Sequence, residues 1–179
     1  VQSFASPEAA VRRMKGTYVT FDGDPPAADT AEALVRAMGG RMLHIAPKNR
    51  AIYHAASCVL SNYLAAIADL GMILLHLSGV PEKDAAAAAG PLLSGTVDNI
   101  RKLGMPGALT GPIARGDAET VERHLDALAS FPAEVRRLYC ELGLYTVRVA
   151  QRKESLRPAD GRRIAALLNT ALPRSRGRA

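Results

Sequence analysis

Five residues within the stretch YHAASCVLSNYLAAI, residues 53–67, have side chains that can do chemistry: His54, Ser57, Cys58, Ser61 and Asn62. At ~100° per residue a helix places all five within ~140° of one another, as a polar stripe along an apolar rod. The imidazole of His54 can donate and accept hydrogen bonds and can pass a proton. Two turns on, the amide of Asn62 can orient a carbonyl or hydroxyl, with Ser61 beside it. The stripe faces either water or something that needs hydrogen bonds. On helix statistics alone such a histidine is more often a core residue with its hydrogen bonds satisfied than a catalytic group.

A second group lies in GALTGPIARGD, residues 107–117, where three glycines and a proline surround Thr110, Arg115 and Asp117. Backbone N–H groups at a helix start attract anions, and Arg115 can clamp a carboxylate or phosphate. The plain alternative is a helix connection capped by Asp117. No G-x-G-x-x-G or Walker loop occurs. The four histidines, at 44, 54, 76 and 124, form no cluster with metal-ligand spacing, so no metal site is expected.

The elements that position these groups can be read from pattern. PEAAVRRMKG is a short helix stopped by Gly16, and residues 17–22 are a strand rich in β-branched and aromatic residues. ADTAEALVRAMGG is an amphipathic helix with a glycine stop, and residues 41–46 form a second strand. A strand stub at 1–4 is also expected. Strand, helix, strand suggests part of a parallel βαβ sheet. Past Pro47 the pattern turns helical. Helices are expected at 48–77, at 81–103 with a break near Gly90 and Pro91, from Asp117 to about 130, at 132–154 and at 158–172. The fold class is therefore mainly α with a partial α/β segment: an α/β part at 1–47, a helical part at 48–155 and a basic helix and tail at 156–179.

Composition narrows the functional class. The chain has 179 residues, 48% hydrophobic, no Trp and few aromatics, which disfavours stacking on single-stranded nucleic acid. The net charge of +6 is concentrated after residue 147, where nine Lys or Arg face two acids; the remainder sums to −1. That makes the basic character a property of the tail, most simply a solvated end, so nucleic acid is an unlikely partner. Cys58 and Cys140 read as buried reduced thiols, which suits the cytoplasm. The longest apolar run, 59–80, is interrupted by Asn62, Asp69 and His76, which argues against a membrane span. The helices at 48–77 and 117–154 carry more apolar positions than one face needs, so a homodimer is expected.

NRAIYHAASCVLSNYLAAI, GPLLSGTVDNIRKLG and GALTGPIARGDAETVERHLDAL together resemble the C-terminal helical part of a reductase-like family. Its members pair a Rossmann-like domain with the domain of unknown function numbered 2520. The resemblance runs from residue 1 to about 155, with residues 1–47 similar to the second half of the Rossmann-like domain. Ketopantoate reductase, pyrroline-5-carboxylate reductase and 6-phosphogluconate dehydrogenase share this organisation, and the helical part resembles the C-terminal domain of the last.

The resemblance implies an NAD- or NADP-dependent oxidoreductase acting on a small carbonyl/hydroxyl or imine/amine compound. It implies His54 and Asn62 as catalytic groups and Ser61, Thr110, Arg115 and Asp117 as substrate-binding groups. In ketopantoate reductase the corresponding helix carries a catalytic Lys, then Asn four and eight residues later. Anchored on Asn62, His54 stands at the Lys position and Cys58 at the middle one. The resemblance also implies that the parent protein extends roughly 80–130 residues before Val1 and that this part includes a strand, the Gly-rich pyrophosphate loop and a helix. This chain alone is then expected to bind nicotinamide dinucleotides weakly or not at all.

Overall fold

The computed structural model describes residues 6–173. The expected strand stub at 1–4 and the end of the basic tail lie outside the described residues. The chain divides into two compact units, residues 1–89 and 90–179, at a boundary within a helix.

The first unit opens with α1 (Pro7–Arg13). Its Ser6 cap accepts the Ala9 N–H at 3.2 Å, and Pro7 fits the first turn, where its missing N–H is not needed. β1 (Tyr18–Thr20), α2 (Pro25–Ala37) and β2 (Arg41–Leu43) follow. β1 and β2 pair in parallel with Val19 opposite Met42, so the strand–helix–strand unit is present. Both strands have three residues, shorter than the six expected. A two-stranded sheet carries little stability of its own. Val35 of α2 is buried, and the Thr17 hydroxyl donates to the Arg13 carbonyl at 2.6 Å.

A 3₁₀ turn at Pro47–Asn49 leads into α3 (Arg50–Cys58), a π-helical turn at Val59–Tyr63, and α4 (Leu64–Leu77). The helix expected at 48–77 is thus present, with a π turn inside it that the sequence pattern does not show. None of the residues from Arg50 to Leu77 is buried. By length and composition the segment Pro47–Leu77 is apolar enough to cross a membrane, with mean hydropathy 1.8 over its best window. That qualifies the expectation drawn from Asn62, Asp69 and His76.

α5 (Glu82–Leu103) runs through Gly90 and Pro91 without the expected break. Alanines 85–89 have the highest helix propensity and leave room beside the proline ring, so Pro91 costs a backbone bond without ending the helix.

The second unit contains α6 (Pro112–Arg115), α7 (Ala118–Ala127), α8 (Ala133–Arg152) and α9 (Pro158–Ala171). Its core joins Ile113, Val121, Cys140, Val147, Ala150, Leu156, Ile164 and Leu168. Ile164 and Leu168 are fully buried, so α9 is a wall of this core and no appendage. Each such side chain stabilises the fold by about 1.5–3 kcal/mol. α8 and α9 come together at Gly143, where an added Cβ would lie 3.0 Å from both Leu168 methyls.

Candidate functional site

On α3, His54 and Cys58 are one turn apart, and His54 Nε2 lies 3.6 Å from Cys58 Sγ. His54 is exposed and Cys58 half-exposed. The exposure rules out the core reading of His54 within this unit, and it corrects the expectation that Cys58 is buried. Both cysteines are free thiols, and Cys140 is the buried one. Ser57 leaves the stripe, because its hydroxyl donates to the Tyr53 carbonyl at 3.0 Å.

Ser61 and Asn62 are exposed, and both lie in the π turn. On an unbroken α-helix, His54 and Asn62 would stand ~80° apart. A π turn holds one residue more than an α turn, and this turns Asn62 back by up to ~100° towards the His54 line. The turn therefore sets the direction of Asn62 relative to His54 differently from a plain α-helix. Single π turns within α-helices concentrate at functional sites. Around the stripe the rod stays apolar and uncovered: Ile52 is 70% exposed, Leu60 76% and Tyr63 60%.

The second group, in the second unit, is organised by α6 and the start of α7. Gly116 ends α6 at φ 74°, the left-handed region that favours glycine, and an added Cβ would lie 3.0 Å from Asp160 Cβ. Asp117 caps α7: its carboxylate accepts the Thr120 N–H at 3.0 Å and the Thr120 hydroxyl at 2.8 Å. These bonds, the backbone one first, hold the Asp117 carboxyl below its ordinary range. The capping alternative is what the geometry contains, and it occupies the carboxylate that the resemblance assigns to substrate. Thr110 and Arg115 are exposed.

Two residues absent from the sequence reading fix this loop. Lys153 Nζ donates to the Leu109 carbonyl at 2.8 Å, and Ser155 Oγ donates to the Ala114 carbonyl at 3.2 Å. Both come from beyond the end of α8, and no local pattern announces such long-range ties. Among the described residues no group of three or more potential metal ligands occurs.

A dinucleotide needs N–H groups turned towards its pyrophosphate, and the β1–α2 turn does not supply them. It carries Asp22 and Asp24, and α2 begins with Pro25 and Pro26, which have no N–H. Asp22 is in addition paired with Arg50 at the start of α3. The β1–α2 turn therefore does not fit the pyrophosphate of this cofactor.

No curated protein matches the chain. A solved structure, protein TM1727 from Thermotoga maritima, is similar with a TM-score of 0.71 and 26% identity. The match covers 83% of this chain and 60% of that one, so this chain spans well under the whole length of its structural relative. The family described as domain of unknown function DUF2520 matches residues 17–146, from the start of β1 to the last turns of α8. With both candidate groups inside that span, the chain belongs to the DUF2520 family.

Proposed function

We propose that this chain is the helical, substrate-facing part of an NAD(P)-dependent oxidoreductase acting on a small carbonyl/hydroxyl or imine/amine compound. The observation that carries the reading is the stripe of exposed His54, Ser61 and Asn62 on a helix otherwise apolar, with a π turn inside it. His54 donates or accepts the substrate proton, and Asn62 and Ser61 orient the reacting oxygen or nitrogen. Arg115, with Thr110 near it in sequence, is exposed and can take an acidic group. Asp117 acts by holding the start of α7. The dinucleotide, NAD or NADP, is held by a segment that precedes these residues in a longer protein, because the β1–α2 turn cannot cradle it. No hydride step is assigned to this chain. The free thiols accord with a cytoplasmic setting.

The test is His54→Gln in the full-length protein. A loss of turnover with unchanged melting supports the reading, and full turnover refutes it.

One observation favours a second reading, that of a non-catalytic dimerisation module. The face formed by α3, the π turn and α4 has no cover within its own unit. A second copy of the chain is the occupant we propose in either reading. Asp69 lies within the segment, and a charged residue near a bilayer centre costs about 2.5–3.5 kcal/mol, which disfavours lipid as the cover. A full-length protein that dimerises but binds no dinucleotide would establish the module reading.

A further inference from the structure

The second unit holds a cavity of about 180 Å³ that takes no part in the proposed reaction. It is lined by Leu125, Asp126, Leu128, Ala129, Arg136 and Ala171, at the end of α7, the start of α8 and the end of α9. Four of the six are apolar, and Arg136 is the one cation among them. Its Nε is shut off from solvent with no hydrogen-bond partner, and among the described residues the guanidinium forms no ion pair. Cys140, one turn along α8, gives no countercharge, since burial pushes its thiol up and keeps it protonated. Asp126 is exposed at the rim.

Arg136 is half-buried, and its desolvated Nε lacks a hydrogen bond that it would make in water, so a ligand that also engages the guanidinium is favoured there. The planar fork of the guanidinium matches a carboxylate, which can take two parallel hydrogen bonds. The volume corresponds to about six waters at ~30 Å³ each, comparable to an acid of about five carbons.

We propose that this cavity binds a small apolar monocarboxylate, its carboxylate on the terminal nitrogens of Arg136 and its alkyl body against Leu125, Leu128, Ala129 and Ala171. Asp126 at the rim turns away dianions such as phosphate by like-charge repulsion. The proposal stands independently of the oxidoreductase reading.

The experiment is a titration of the chain with 3-methylbutanoate, followed in methyl ¹H–¹³C spectra. Saturable shifts are expected at the Leu125, Leu128 and Ala171 methyls, with a Kd on the order of 1 mM for so few atoms. Arg136→Met keeps the apolar stem and is expected to abolish the response. Inorganic phosphate is expected to leave these methyls unmoved. Should Arg136→Met not fold, Ala129→Leu fills the cavity from its rim and is expected to block the acid equally. The proposal is overturned by shifts that stay linear to about 20 mM, well past the affinity expected for such a ligand. It is overturned equally by unchanged binding in the folded variant, or by phosphate binding as tightly as the acid.

Discussion

At the scale of single residues the account rests on His54. Its imidazole is exposed on α3 and touches the Cys58 thiol, so it can move a proton without first being unburied. In the full-length protein His54→Ala is expected to slow turnover by about 10²–10⁴, the usual contribution of a general acid or base. Melting should shift less than for truncation of a core leucine; a large fall in melting temperature with full turnover would make His54 structural.

Asp117 behaves oppositely. Its folded pKa is lowered by the Thr120 N–H and hydroxyl. The stability it contributes is therefore complete above the ordinary carboxylate pKa of about 3.9 and is lost as pH falls through the lower folded value. Asp117→Ala is expected to lower the melting temperature at pH 7. The difference from wild type should shrink in acid, and thermal melts between pH 2 and 7 check it. A difference that grows in acid would contradict the capping role.

At the scale of elements, sequence and structure agree where one stretch of chain decides the outcome. TYVTFDG is rich in β-branched and aromatic residues and forms a strand, and ADTAEALVRAMGG ends on glycine and forms a helix. The strands are shorter than their pattern because only one neighbour pairs with each, and nothing among the described residues extends the ladder. The polar residues of the 54–62 stretch lie on a helix, as their spacing suggested. The π turn left no local mark, because it is a one-residue slip in hydrogen bonding within an unbroken helical pattern. The same holds for Lys153 and Ser155, whose partners lie more than a helix away along the chain.

The π turn yields a direct test. Deleting Leu60 should restore a continuous α-helix and keep helical content by circular dichroism. It should change the direction of Asn62 relative to His54 and reduce turnover at least tenfold, as misplacement of a positioning group does. Undiminished turnover would show that the turn aligns nothing. In the loop, Gly116→Ala must place a side chain at φ 74° against Asp160, and a loss of about 1–2 kcal/mol by urea denaturation is expected from the left-handed backbone alone.

At the scale of the whole molecule, the described core is concentrated in the second unit, where α9 supplies Ile164 and Leu168. The sequence showed α9 as a helix but not as a core wall, because its partners Val121 and Cys140 belong to distant helices. Ile164→Ala is accordingly expected to cost about 2–5 kcal/mol in denaturant unfolding. In the first unit the long helix from Arg50 to Leu77 buries no residue. Light scattering at tens of micromolar should give twice the chain mass if a second copy covers it, and a monomer at that concentration would refute the dimer.

The central claim is that this DUF2520 chain serves a dinucleotide-dependent reaction whose cofactor is held upstream. Titration of the full-length protein with NADPH and NADH, followed by nicotinamide fluorescence, tests it most directly. The account predicts saturable binding of one of the two by the full-length protein, with little or none by residues 1–179. Absence of binding to both by the full-length protein, or tight binding by residues 1–179 alone, would contradict it.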